Sequence, residues 1–335
     1  MMSASPSISL TRLETQLLTE GRYPVDVVDH FGAMQGQDLP GVLTSIALRT
    51  PEKSVAAVID DFNSGAIVRT WPQRGTLHVV SSSRVRDLLV VARERTFRTT
   101  VKRREALGID EAVLEQARSI ALEVVGDGIT RADLTKAWEE AGVVDRPGRA
   151  YHLIFHLSLE GILVWGPVSG KGNLIVLLDR WVPEMKERSY DEAVDDIVTR
   201  CVLSHSPTTR KDISWWTSLP LRDVDRVLKS AGFEQRDGYV WAGDEKESDP
   251  DGLHLLPGFD EMILGYSDRA ATVAPEYQNA ICPGNNGVFK PTIVHGGQVI
   301  GTWQRAKREP TFFTPPKKAL EKRVEKALAE VPLGA

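Results

Sequence analysis

Only two cysteines, Cys201 and Cys282, occur among the 335 residues. Two thiols are too few for a disulfide scaffold or for a four-cysteine zinc site. No apolar run approaches the ~18 residues that a membrane-spanning helix needs. The N-terminal stretch also has neither the basic region nor the apolar region of a signal peptide. We therefore expect a cytoplasmic protein with no metal and no other cofactor.

The sequence also lacks the common catalytic motifs. It contains no Gly-x-Ser-x-Gly, no P-loop, no His-Glu-x-x-His and no Gly-x-Gly-x-x-Gly that opens a helix after a strand. His152 and His156 lie four residues apart and could share a metal on one helix face. Apolar residues surround them without an obvious third ligand, so we interpret them as ordinary core or surface histidines.

The charge is unevenly distributed. The net charge is −5, yet residues 66–104 carry ten Lys/Arg and only two acids, a local excess of eight positive charges. A polyanion responds to this local field because screening limits the reach of charge to about 8–10 Å. The segment is therefore either a nucleic-acid-binding surface or a solvated basic helix face.

One pattern of secondary structure occurs three times along the chain: helices, a glycine, then a short β-hairpin. This is the plan of a winged helix. The predicted helices are 10–18, 54–62, 149–160, 193–203, 209–217 and 221–231, together with one that opens at the Thr130–Asp133 capping box; the predicted strands are 66–71, 76–80, 162–165, 174–178 and 239–241. Between the first two strands, Pro72–Gly75 is predicted to form the turn.

After an acidic linker at 243–252 the pattern changes to short strands. They are predicted at 253–256, 261–266, 288–294 and 299–303, followed by a helix over 316–331. We thus predict an α+β protein of five segments: winged helix 1 with a basic wing (1–82), winged helix 2 (83–182), winged helix 3 (183–243), a β-rich module (253–311) and a C-terminal helix (312–335).

Two glutamines stand immediately before a predicted helix, in the segment Gln35-Gly36-Gln37-Asp38-Leu39-Pro40. Asp38 and Pro40 are typical of an N-cap and a first-turn proline. In extended backbone, residues two apart point to the same side, so the two amides can project together and hold a water. Alternatively, they are two polar residues in a loop hinged at Gly36.

Four separated blocks resemble one family, the AlkZ/YcaQ-like winged-helix DNA glycosylases. The blocks are Gln35-Gly36-Gln37, the hairpin Arg74–His78, Leu255–Arg269, and Val288–Val294 with Gly301-Thr302-Trp303. The resemblance extends from about residue 8 to residue 310. It implies a C-shaped molecule of three tandem winged helices that holds double-stranded DNA in its concave channel.

The resemblance also implies the catalytic residues. The AlkZ-like branch has a motif of glutamine, a hydrophobic residue and glutamine, which Gln35 and Gln37 match and from which Gly36 departs. Guanine alkylated at N7 is already a good leaving group, so an enzyme needs only to place a water and tolerate a cationic sugar, which neutral amide oxygens can do. We therefore predict a monofunctional glycosylase for N7-alkylated purines and interstrand crosslinks, in which Gln37 positions the water and Gln35 assists.

We assign DNA binding to the basic stretch, with Arg69, Arg74 and His78 near the lesion and Arg103 and Arg104 on phosphates. Trp71 is expected to pack against its own hairpin. Asp260, Asp268 and Arg269 have either structural ion-pair roles or DNA contacts. We expect a monomer, because one chain supplies a whole channel. The alternatives are a non-catalytic winged-helix regulator and a glycosylase scaffold without activity.

Overall fold

The computed structural model describes residues 7–170, 172–184, 188–243 and 246–334. The chain forms two compact units. One combines residues 1–58 with 195–335, and the other comprises residues 59–194. The first unit is therefore built from two distant parts of the sequence. Of the predicted acidic linker, Asp244 and Glu245 lie outside the described residues, as do residues 1–6.

The elements alternate between helices and short strands. In the N-terminal part they are α1 (Ile8–Thr15), α2 (Pro24–Phe31), β1 (Met34–Gln35), α3 (Leu39–Ala47) and α4 (Val55–Asn63), and the last of these runs into the second unit. The second unit continues with β2 (Ile67–Gln73), β3 (Thr76–Ser81), α5 (Val85–Ala106), α6 (Glu111–Val124), α7 (Arg131–Glu140), α8 (Arg149–Leu159), β4 (Leu163–Ser169), β5 (Gly172–Leu177) and α9 (Leu178–Trp181).

The chain then returns to the first unit at residue 195, within the first helix of this part. Its elements there are α10 (Tyr190–His205), α11 (Arg210–Thr217), α12 (Leu221–Ala231), β6 (Glu234–Arg236), β7 (Tyr239–Trp241), β8 (Leu253–Leu256), α13 (Glu261–Leu264), α14 (Gln278–Ile281), β9 (Thr292–His295), β10 (Gln298–Gln304), β11 (Glu309–Phe312) and α15 (Lys318–Glu330). No helix in the described ranges is long and apolar enough to cross a membrane.

Two hairpins of the second unit combine into one antiparallel sheet. The four strands of these hairpins lie in the order β3-β2-β4-β5, with Arg69 of β2 opposite Trp165 of β4. Trp71 is 2 % exposed and meets Phe155 edge-on at a centroid distance of 5.4 Å, with Trp165 at 6.5 Å. Trp71 was expected to pack against its own hairpin, and its aromatic contacts lie on α8 and on β4 of the other hairpin.

The first unit contains the other two sheets. Strands β6 and β7 form a two-stranded hairpin, and the C-terminal sheet has the order β11-β10-β9-β8. Leu256, Met262 and Val294 belong to a core that also includes Leu13 of α1. On the other side of the sheet, Val324 and Leu328 of α15 pack against Trp303 and Ile293. The N-terminal helix and the C-terminal sheet therefore share one core.

Mixed helix and sheet, the three hairpins and most of the predicted helices are confirmed. Helices predicted at 54–62, 149–160, 209–217 and 221–231 are observed within one or two residues of those limits. The helix that opens at Thr130 begins as predicted, since the Thr130 side chain accepts a hydrogen bond from the Asp133 amide. The division into three winged helices remains a prediction.

Several predicted boundaries are wrong. The segment 261–266 is not a strand, because the carboxylate of Asp260 accepts the Met262 amide at 3.0 Å and caps a helical turn. All four residues of α13 are buried, so no alternation was available to distinguish strand from helix. The first helix ends at Thr15 rather than at residue 18, the strand predicted at 288–294 is only Thr292–His295, and β11 was not predicted.

The turn of the first hairpin also differs from its prediction. Pro72 lies within β2, where the pairing with β3 is irregular between Thr70 and Gln73 and a missing amide proton is tolerated. Arg74 and Gly75 form the turn instead, with φ angles of 52° and 66°. Positive φ at both central residues matches a type I′ hairpin turn.

Candidate active site

The two glutamines lie on a short connection between two helices. Helix α2 ends at Phe31 with Gly32 as its C-cap, and α3 begins after Asp38 with Pro40 in its first turn. Asp38 occupies the predicted N-cap position, although its side chain makes no capping hydrogen bond. The chain between the helices, residues 32–38, therefore has only seven residues in which to present both amides.

The side chains of Gln35 and Gln37 contact each other. The amide nitrogen Nε2 of Gln35 donates to Oε1 of Gln37 at 2.6 Å. Gln35 is 7 % exposed, whereas Gln37 is exposed. The two amides thus project to one side, as extended backbone predicts, and the outer amide reaches solvent while the inner one is held in the protein.

A buried carboxylate lies behind this pair. Oε1 of Glu261 accepts the backbone amide of Gln35 at 2.6 Å. Its other oxygen accepts the indole N–H of Trp216 at 3.0 Å and lies 3.6 Å from Nε2 of His205. Glu261 is 1 % exposed. We did not select it from the sequence, although an acid beside the apolar run Met262-Ile263-Leu264 signals a buried charge that needs partners.

The residues next to Glu261 have structural contacts. Asp260 forms a two-point ion pair with Arg49 at 2.8 and 2.9 Å, and both side chains are fully buried. Arg269 donates to the carbonyl of Ile263 at 2.7 Å and lies over the Phe289 ring. Asp268 accepts the backbone amide of Ala270 at 2.9 Å. Of the two roles considered for Asp260, the ion pair is the one present.

The predicted DNA-binding residues all lie in the second unit. Nη2 of Arg74 donates to Nε2 of His78 at 3.0 Å, and Nδ1 of His78 donates to the carbonyl of Thr76 at 2.9 Å. Arg69 is buried, with its guanidinium 5.5 Å from the centre of the Trp165 ring. The first wing therefore brings Arg74 and His78 together and holds Arg69 against an aromatic side chain.

Arg103 and Arg104 lie in the last turn of α5. Nε of Arg103 donates to Nε2 of His152 at 3.3 Å, whereas Arg104 covers the Phe97 ring. Burial, aided by the positive charge of Arg103, lowers the pKa of His152. His156 stacks on Phe97 at 4.3 Å. The described residues contain no group of three or more His, Cys, Asp or Glu side chains that could hold a metal.

Three further bases of α5 are exposed on one helix face. Arg95, Arg98 and Lys102 are spaced at i, i+3 and i+7, which places them on the same side of a helix. Arg98 pairs with Glu94 at 2.9 Å. The charge count found this segment, but only the helix limits show which of its bases share a face.

Comparison with known proteins identifies the family of the chain. The sequence model of the AlkZ-like DNA glycosylases matches residues 28–331. The chain belongs to this family of DNA glycosylases, and the predicted enzyme class is confirmed.

A relative and a solved structure, both from Streptomyces sahachiroi, are similar to it. An interstrand DNA cross-link repair glycosylase is 26 % identical over 355 aligned residues, covering 96 % of this chain and 93 % of the relative. The solved structure of the DNA glycosylase AlkZ superposes with a TM-score of 0.78 at 22 % identity, covering 98 % of each chain. This last likeness supports the fold.

Proposed function

We propose that this protein is a monofunctional glycosylase that hydrolyses the N-glycosidic bond of N7-alkylated purines in double-stranded DNA. The observation that carries the proposal is the hydrogen-bonded pair Gln35–Gln37, with its outer amide exposed. The pair is uncharged, so it can orient a water without acting as a strong base.

The chemistry suits a substrate that already carries a positive charge. When the bond from C1′ to N9 of the purine breaks, its electron pair neutralises the alkylated base, and the sugar becomes an oxocarbenium ion. A water held by Gln37, and oriented through Gln35, adds its oxygen to C1′ and loses a proton to solvent. The products are a free alkylated base and an abasic site. Neither glutamine is an amine nucleophile, so no Schiff base forms and the strand is not cleaved.

The same chemistry extends to interstrand crosslinks. A nitrogen mustard joins two guanines through their N7 atoms, and each of these bases is cationic. Breaking one glycosidic bond would release one strand from the other. The similarity to a glycosylase named for interstrand cross-link repair supports this extension.

DNA binding is assigned to the three helix–hairpin segments acting as winged helices, with Arg69, Arg74, His78, Arg103 and Arg104 as contacts. Phosphate contacts by Arg103 and Arg104 would hold the duplex without reading its sequence, with Arg69, Arg74 and His78 near the lesion. We propose that the protein works as a monomer in the cytoplasm.

The test is an excision assay on duplex DNA that contains N7-methylguanine or a nitrogen-mustard crosslink. Abasic sites are scored as strand breaks after alkali. We expect excision by the wild-type protein and a loss of at least about 100-fold in Gln37→Ala, the scale of removing a group that positions a reactant. The excision rate of Gln35→Ala should lie between those of the wild type and Gln37→Ala.

Gln116→Ala provides the matched control, since Gln116 is an exposed glutamine on α6. It should retain the wild-type rate. Salt-dependent DNA binding without excision by the wild type would instead favour the non-catalytic DNA-binding protein. Equal rates for wild type and Gln37→Ala would remove the catalytic assignment.

A further inference from the structure

The carboxylate of Glu261 contacts the backbone beneath the glutamine pair. The hydrogen bond from the Gln35 amide to Oε1 is 2.6 Å long, slightly shorter than the range of about 2.7–2.9 Å for charge-assisted bonds from nitrogen. A bond to the main chain fixes the path of the loop, whatever the side chains of Gln35 and Gln37 do. Glu261 is thus placed to set where both amides point.

The carboxylate is itself held from several directions. Trp216 donates to Oε2, and His205 lies edge-on to Phe31 and Tyr266 and beside Trp216. His205 can approach so closely because residue 265 is glycine: a Cβ there would lie 2.2 Å from Cδ2 of His205. The rings therefore leave Glu261 little freedom to rotate.

The backbone of Glu261 is fixed as well. The side-chain amide of Gln16 donates to the backbone carbonyl of Glu261 at 3.3 Å, and the same carbonyl accepts the backbone amide of Gly265 at 2.7 Å. The preceding residue, Asp260, is held by the buried ion pair with Arg49. A rigid support of this kind limits the positional error of the groups that it holds.

We infer that Glu261 is a positioning residue for the excision reaction, which fixes the Gln35–Gln37 loop through its bond to the Gln35 amide. The inference rests on the proposed function of the two glutamines. Its consequence is that the chemical step depends on the length and acceptor oxygen of Glu261, while DNA affinity does not.

Two substitutions separate position from charge. Glu261→Gln keeps the side-chain length and an acceptor for the Gln35 amide, but it removes the charge and the second oxygen, which accepts the Trp216 indole N–H. Glu261→Asp keeps the charge but withdraws the carboxylate by one methylene. We measure the single-turnover excision rate on N7-methylguanine DNA at saturating enzyme, and the dissociation constant for the same duplex separately.

A positioning role predicts that Glu261→Asp loses more of the rate than Glu261→Gln, by up to about 100-fold for a displacement near 1 Å. Both variants should bind the duplex within twofold of wild type. The role is excluded if Glu261→Asp excises at the wild-type rate, or if Glu261→Gln is the slower of the two, which would assign the effect to the charge or to the bond from Trp216 rather than to the bond from Gln35.

Stability effects are controlled with Leu328→Ala, which opens a cavity in the C-terminal core of the same unit. This variant should unfold at lower temperature and keep the wild-type rate while folded. If neither Glu261 variant folds, Trp216→Phe removes one donor to the carboxylate. Its rate should fall with unchanged DNA affinity, and an unchanged rate would overturn the inference.

Failure of the role inferred for Glu261 can be distinguished from failure of the proposed function itself. If the wild type does not excise, or Gln37→Ala is fully active, the glutamine mechanism fails. If wild type excises, Gln37→Ala is inactive and Glu261→Asp is fully active, the glutamine mechanism stands and only the role of Glu261 fails.

Discussion

His30 and His254, both in the unit that contains the glutamine pair, are kept neutral by burial. Burial lowers the pKa of His30 to about 4, against a hydrogen bond to the Thr15 carbonyl that raises it. Burial, with the charges of Arg49 and Lys53, also lowers the pKa of His254 to about 4. Each histidine therefore resists a proton that it would accept in the unfolded chain.

We predict that acidification destabilises the protein between about pH 6.5 and pH 4. In this window the unfolded chain binds protons that the folded chain excludes, so the free energy of unfolding falls as the pH falls. Each histidine contributes at most about 1.4 kcal/mol per pH unit. Urea unfolding of wild type and His254→Gln at pH 7.5 and 5.0 measures this. The variant should lose less stability on acidification, and equal losses would contradict the assigned cause.

The residues of the candidate site differ in how well the sequence predicted them. Gln35 and Gln37 could be predicted from the sequence because their spacing and the helix-start signal at Asp38–Pro40 are local. Glu261 was not, since its contact with Gln35 joins residues 226 positions apart. Its neighbour Asp260 likewise meets Arg49 only in the folded chain. Local spacing indicates which side chains share a face, and only tertiary structure indicates what supports them.

At the scale of elements, the first hairpin combines a backbone requirement with a proposed DNA contact. Arg74 adopts a left-handed φ of 52° next to Gly75. Asparagine is far better suited than arginine to this position of a type I′ turn. Arginine therefore stands here at a conformational cost.

We predict that Arg74→Asn weakens DNA binding while leaving stability nearly unchanged. The improved turn offsets the loss of the hydrogen bond from Arg74 to His78, each being worth about 1 kcal/mol. Thermal unfolding and DNA titration at fixed salt measure the two effects. A large drop in unfolding temperature would mean that Arg74 is mainly structural, and unchanged affinity would remove it from the DNA-binding set.

Elements were predictable where the apolar pattern had a clear period. Helix α12 is observed at the predicted limits, and its buried residues Val224, Val227 and Leu228 follow helical spacing. The sequence gives no such alternation for α13, where Glu261–Leu264 is buried throughout. Strand β11 carries a proline and alternates weakly, so its pairing with β10 becomes evident only from the register Trp303↔Pro310.

At the scale of the whole molecule, the first unit is assembled from residues 1–58 and residues 195–335. The 136 residues between them, from position 59 to position 194, form the second unit. The sequence reveals the repeated helix–hairpin pattern, but it does not show that the C-terminal part of the chain packs with the N-terminal part. Leu10 and Leu13 pack with residues beyond 255, and this contact forms only in the folded chain. A boundary predicted from linkers alone cannot identify a unit assembled from both ends of the sequence.

The distribution of charge is the other property of the whole molecule. The chain carries a net charge of −5, while residues 66–104 carry an excess of eight positive charges. Several of these bases have internal partners: Arg86 pairs with Asp179 at 2.9 Å, and Arg93 donates to the Leu159 carbonyl. Fewer basic side chains can therefore contact phosphates than the ten counted in the sequence. Helix α5 exposes Arg95, Arg98 and Lys102 on one face.

We predict that non-specific duplex binding is strongly salt-dependent and that this face of α5 accounts for part of the dependence. Each phosphate contact contributes about −0.9 to the slope of log K against log salt, so the double substitution Arg95→Gln, Lys102→Gln should reduce the slope by nearly two. Fluorescence anisotropy with undamaged duplex over a salt series measures it. Lys136→Gln on α7 is the control, since Lys136 is exposed and pairs with Glu140 at 3.7 Å. An equal slope for the double variant and the control would place the DNA elsewhere on the protein.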